Sequence, residues 1–242
     1  MCRKNAAKDT TKVCNDAGRN LDRLQLTNEV QMKLLRYVFL TLLLATPVHA
    51  EEIYDLIFKQ GTLSDVSEGL VYDRETIVAS NPDYGQRHTG DVELGFAPEE
   101  MAVLRFVQGE QHRNLGQFPA TVGNPIIMYF VETVLRDVAH EAGGSPFYIR
   151  NRIKEALITT APIEDTTVSF GDGEVAARQI TFRPFEDDEN RDRMGVYGNL
   201  EMTFVMSEEV PGWYVSLAAV APDGNGDAGY SNVLNLMPEA TE

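Results

Sequence analysis

Between Asn124 and Leu157 the apolar residues of this chain recur at helical spacing, and on either side they recur at every second position. That change of period constrains the fold more than any other feature. Side chains repeat a face after 3.6 residues on a helix and after two on a strand. Strands, then helices, then strands, with no strand–helix alternation, predict an α+β domain rather than a parallel α/β one.

The upstream block predicts a short helix with Ile53, Leu56 and Ile57 on one face, ended at Gly61. Strands follow over Gly69–Ala79, Thr89–Phe96, Met101–Val107 and Gln111–Phe118; in the second, Val92, Leu94 and Phe96 alternate with Asp91 and Glu93. In the middle block Asn124 stands as an N-cap ahead of Pro125, a residue favoured in the first helical turn. Ile126, Ile127, Phe130, Val131, Val134, Leu135 and Val138 then form one apolar stripe. Gly143-Gly144 stops that helix and Ser145-Pro146 starts another, faced by Ile149, Ile153 and Leu157. Downstream, Thr167–Phe170 and Glu174–Phe182 flank the turn Gly171-Asp172-Gly173 as a hairpin. An acidic loop over 186–193 precedes the strand signals Leu200–Met206 and Trp213–Val220. Residues 51–220 are expected to form a single domain, a curved antiparallel β-sheet covered by a central helical hairpin. Residues 221–242 are expected to be a flexible acidic tail.

The start of the chain reads as an address. Lys33 and Arg36 precede an apolar run from Tyr37 to Ala45, and Val48-His49-Ala50 supplies small side chains at the −3 and −1 positions of a signal-peptidase site. Residues 32–50 are therefore expected to be a signal peptide cut after Ala50, too short in its apolar part to remain as a membrane span. Residues 1–31, polar and basic, are expected to be a start-site artefact or a long n-region. Export to the periplasm or outside the cell follows. Both cysteines, Cys2 and Cys14, precede the cut, so the exported chain is expected to hold by its core alone. Composition supports a core: 43% of the 242 residues are hydrophobic. The net charge of −16 becomes −20 after the cut, with 13 basic against 33 acidic residues. Nucleic acid, itself a polyanion, is excluded as a general partner.

The order of elements, and strands such as Gly69–Ala79 and Trp213–Val220, resemble the periplasmic lipoprotein-carrier-like fold over residues 51–220. In that fold a half-open antiparallel barrel holds helices in its concave side. The Val122-Gly123-Asn124-Pro125 and Gly143-Gly144-Ser145-Pro146 connections are particular to this chain, and no functional motif is matched. The resemblance implies an apolar groove for a lipid or acyl chain.

Catalytic signatures are lacking in the sequence. Ser145 has no Gly-x-Ser-x-Gly elbow, and Pro146 follows it where a backbone N–H would be wanted. His88, His112 and His140 have no zinc-ligand spacing. A hydrolase could use a carboxylate such as Glu132 or Asp137, but charges along a helix face are ordinarily solvated. Four weaker constellations remain. Phe130, Val134, Phe147 and Tyr148 are candidates to line a ligand groove. Arg150, Arg152 and Lys154 are candidates for an anionic headgroup, or for pairing with the carboxylates of 186–192. The acidic loop is a candidate for a divalent cation, and Asp223, Asn225 and Asp227 occupy calcium-loop positions 1, 3 and 5, although Ala228 and Leu234 stand at positions 6 and 12. The expectation is a non-catalytic exported binding or carrier domain for an apolar or amphiphilic, lipid-like ligand, without cofactor. The alternative is a structural or protein-interaction module of the cell envelope.

Overall fold

The computed structural model describes residues 49–159 and 161–238. Helix α1 spans His49–Ile57, β1 Leu70–Val78, α2 Pro82–Arg87, β2 Gly90–Ala97, β3 Met101–Gln108 and β4 Gln111–Pro119. Helices α3 (Ile126–Glu141) and α4 (Pro146–Leu157) follow, then β5 Ile163–Phe170, β6 Gly173–Phe182, β7 Glu201–Met206, β8 Tyr214–Pro222 and β9 Ala228–Leu236. The nine strands form one open antiparallel sheet in the order β4-β3-β2-β1-β9-β8-β7-β6-β5. The fold is the expected α+β one, a curved antiparallel sheet with the helical hairpin on one face.

Alternation in β1 sets that face. Leu70, Tyr72, Arg74, Thr76 and Val78 are buried, while the residues between them are exposed. Register carries the same face through the sheet: Tyr72 stands opposite Val92 on one side and Leu236 on the other, and Leu234, Leu217, Phe204 and Ile180 follow across β9 to β6. Against it lie Ile126, Ile127, Phe130, Val134, Leu135 and Val138 of α3 and Ile149, Ile153 and Leu157 of α4, all buried. Phe130 meets Phe204 edge-on at 5.8 Å between ring centres, a favoured aromatic geometry.

Two close approaches anchor the helices. The Asn124 side chain accepts the N–H of Ile126 at 3.1 Å and donates to Tyr72 Oη and the Gly212 carbonyl at 2.9 Å each. The expected cap is thus made, but Pro125 already has helical angles and Ile126 is the first helical residue. Gly212 sits at φ 76°, a left-handed conformation that favours glycine, and a Cβ there would press on Leu70 Cδ1 at 2.4 Å and on the Asn124 cap at 2.9 Å. Helix α1 is docked through its C-terminal carbonyls: Trp213 Nε1 donates to Leu56 O at 3.0 Å and Tyr214 Oη to Ile57 O at 2.5 Å. The expected cut after Ala50 falls in the first turn of α1, ahead of its buried residues Ile53, Leu56 and Ile57. Residues 1–31 and 32–48 lie outside the described residues. Ser145 caps α4 by position only, since its side chain makes no cap bond.

The expected tail requires correction. Ala228–Leu236 is a central strand, paired with β1 from Tyr72↔Leu236 to Val78↔Tyr230 and with β8 along its other edge. The Asp/Gly/Asn-rich run 223–227 is a turn, not the beginning of a linker: Asp223 Oδ1 accepts the N–H groups of Asn225 and Asp227 at 2.8 and 3.0 Å. Because β9 alone among the described strands joins β1 to β8, ending the chain after Pro222 should abolish the cooperative thermal transition seen by near-UV circular dichroism. An unchanged melting temperature in that truncation would mean that the strand is dispensable.

Candidate functional site

On α3, Asp137 shares the phase of the apolar stripe, three residues after Val134, and is 2% exposed. Its Oδ1 accepts from Tyr84 Oη at 2.7 Å, and its Oδ2 accepts from Tyr230 Oη at 2.8 Å and Asn232 Nδ2 at 3.2 Å. Arg74 lies on the buried face of β1, 1% exposed. Its Nε donates to Asn232 Oδ1 at 3.2 Å and its Nη1 to Tyr129 Oη at 2.9 Å, while Nη2 stands 3.9 Å from Asp137 Oδ2. The expectation that charges on this helix are merely solvated fails at Asp137, because the helix turns it inward onto β1, β9 and α2. Burial, reinforced by the Asp137 contacts, pushes the Tyr84 and Tyr230 hydroxyls well above the usual phenol range. Both therefore remain donors at neutral pH.

Helix α2 brings Tyr84 into place. Its Asn81 cap accepts the Tyr84 N–H at 3.3 Å, and Gly85 lets the helix lie on β1: a Cβ there would meet Thr76 O at 2.7 Å. The Tyr84 ring stacks with His88 at 4.1 Å and with His140 at 5.3 Å. These aromatic contacts account for two of the three histidines downstream of the expected cut.

A cleft of about 560 Å³ opens beside this cluster, between α3 and strands β3 and β4. Leu104, Leu115, Phe118 and Met128 supply its apolar lining, and Arg74, Tyr129, Thr133 and Asp137 its polar wall. Arg113, Arg136 and Glu132 complete the charged part of the lining, so three arginines face two carboxylates in a strongly acidic protein. Arg136 pairs with Glu132 at 3.1 Å, and Arg113 has no carboxylate within 4.0 Å among the described residues. Shape and chemistry suit a small molecule with an apolar body and a polar end.

The residues singled out from the sequence are dispersed. Phe130 and Val134 are fully buried in the core, Phe147 is 74% exposed, and Tyr148 is half-buried, so the four do not share a groove. Arg150 pairs with Glu132 at 3.3 Å; Arg152 pairs with Glu155 at 2.6 Å and with Asp188 at 2.9 Å; Lys154 is exposed. Arg152 thus follows the pairing alternative. Asp188, buried within the acidic loop, also takes the Tyr148 hydroxyl at 2.5 and 2.6 Å and the Asn190 N–H at 2.7 Å. Asp223, Asn225 and Asp227 lie together in the β8–β9 turn, where the Asp223 bonds account for their spacing. Among the described residues, no group of three or more His, Cys, Asp or Glu side chains could hold a metal ion. No described helix is long and apolar enough to cross a membrane.

A scan against protein-family models finds no match, and no curated protein matches the sequence.

Asp188 supplies a pH prediction. Burial raises its carboxyl, but Tyr148, the Asn190 N–H and Arg152 outweigh that and hold it below the ordinary carboxylate range. A depressed folded value stabilises the protein above the unfolded value, and that contribution is lost as pH falls through the folded one. Asp188→Asn should cost about 1.5–3 kcal/mol at pH 7, the range for hydrogen bonds to a charged group. The gap from wild type should close as thermal melts are repeated toward pH 2. A gap constant with pH would contradict this assignment.

Proposed function

We propose that the chain is an exported, non-catalytic binding or carrier domain for an apolar or amphiphilic ligand, seated in the cleft between α3 and β3–β4. The observation that carries the reading is that cleft: about 560 Å³, with an apolar lining on one part and an arginine-rich wall on another. The resemblance in element order to lipoprotein-carrier-like proteins, and the signal-peptide pattern of residues 32–50, agree with it.

Uptake of decan-1-ol, followed by native mass spectrometry and calorimetry, tests the reading with a probe that has no charge. A single bound molecule is the expected result. Met128→Glu, at a residue already 55% exposed and lining the cleft, should keep the melting temperature and weaken uptake about tenfold, or about 1.4 kcal/mol. Failure of the wild-type protein to take up either the alcohol or a charged analogue of the same chain length, at any concentration below its solubility, would overturn the reading.

A further inference from the structure

We propose that the ligand of the α3–β4 cleft carries a single carboxylate, received by Arg74 in place of the Tyr129 hydroxyl. This deepens the binding reading above and rests on it.

Arginine recognises a carboxylate through two parallel N–H bonds, and the edge formed by Nη1 and Nη2 can supply both. In this protein that edge is half used. Nη1 donates to Tyr129 Oη at 2.9 Å, whereas Nη2, fully buried, has no hydrogen-bond acceptor among the described residues. Asp137 does not fill the role. It stands 3.9 Å from Nη2, and its two oxygens are engaged by Tyr84, Tyr230 and Asn232. The pair therefore balances charge across a gap without satisfying the guanidinium. A buried donor left without an acceptor keeps its full desolvation cost, so an oxygen brought to it gains more than one placed on the surface.

Tyr129 controls access. It is half-buried, lines the cleft together with Arg74, and holds the guanidinium by one neutral hydrogen bond. Displacing that hydroxyl would free Nη1 beside the unsatisfied Nη2, and a carboxylate matches the two together. The rest of the lining limits its charge. Arg113 and Arg136 favour an anion, whereas Glu132 and Asp137, which also line the cleft, repel one, so a single negative charge meets about half the opposition that a dianion would. Leu104, Leu115, Phe118 and Met128 leave an alkyl or aromatic body as the remainder of the molecule.

Calorimetric titration of the full chain with decanoate and with decan-1-ol at pH 8 separates the two levels of the argument. The wild-type protein should bind decanoate at least tenfold more tightly than the alcohol. Tyr129→Phe removes the competing hydroxyl from Nη1, so it should raise the ratio of decanoate to alcohol affinity threefold or more. The carboxyl carbon of bound ¹³C-labelled decanoate, followed by NMR, should titrate at least one pH unit below the free acid, as expected beside a guanidinium. Equal affinity for the two probes, or a bound carboxyl that titrates at or above the free value, overturns the carboxylate inference and leaves the cleft reading standing. Decanoate preference with no gain in Tyr129→Phe overturns the assignment to Arg74. Binding of neither probe overturns both readings.

Discussion

One buried carboxylate ties the helical layer to the seam where the two halves of the sheet meet. Strands β1–β4 and β5–β8 are separate meanders, and among the described strands β9 alone connects them through backbone hydrogen bonds. Asp137 of α3 binds side chains from β9 through Tyr230 and Asn232, from α2 through Tyr84, and faces β1 through Arg74. The same helix packs its apolar stripe on the other half of the sheet, where Phe130 meets Phe204 of β7. Desolvating a carboxylate costs several kcal/mol, and the cost is offset only where hydrogen bonds and an opposite charge surround it. The seam provides both. Apolar packing alone is tolerant of how a helix is rotated on a sheet, but the three directional bonds to Asp137 fix one rotation of α3 over β1 and β9.

That fixed placement has a functional consequence. With α3 held over the seam, its outer flank and the β3–β4 meander enclose a cleft instead of collapsing together. The polar cluster becomes one wall of that cleft, so the groups that orient the helix are also those a ligand would meet. Arg74 belongs to both sets. It bonds Asn232 on one side and Tyr129 on the other, and the donor left over is a by-product of Asp137 being oriented by its neutral partners.

Much of the architecture was legible in the sequence because it follows from period. The β-branched and aromatic residues of Gly69–Ala79, the two-residue alternation of Val92–Phe96 and Leu200–Met206 and the stripe from Ile126 to Val138 place strands and helices where they occur. Two elements were hidden. Strand β9 carries Ser231, Asn232 and Asn235 among its apolar residues and begins beyond a Gly/Asn/Asp turn, so it resembles a polar tail until β1 and β8 are seen to need a common partner. Helix α2 has six residues, too few to establish a period. The site was misplaced for a different reason. The candidates lay on α4 and on the apolar stripe of α3: ion pairs absorb Arg150 and Arg152, core packing absorbs Phe130 and Val134, and Phe147 stands in solvent. The informative signal was phase: Arg74 falls in register with Tyr72 and Thr76, and Asp137 in register with Phe130 and Val134. Two opposite charges on two otherwise apolar faces point to each other, but only once the pairing of those faces is known.

A double-mutant cycle on Arg74 and Asp137 tests the dependence of the fold on this pair most directly. Arg74→Met leaves a buried carboxylate without its countercharge, and Asp137→Asn leaves a buried guanidinium without its own, so each alone should cost about 3–5 kcal/mol in urea unfolding. Together they restore neutrality, and the double variant should be no less stable than the worse single one, a coupling above about 2 kcal/mol. Additive losses would show that the two charges do not sense each other, and that apolar packing alone positions α3 over the seam.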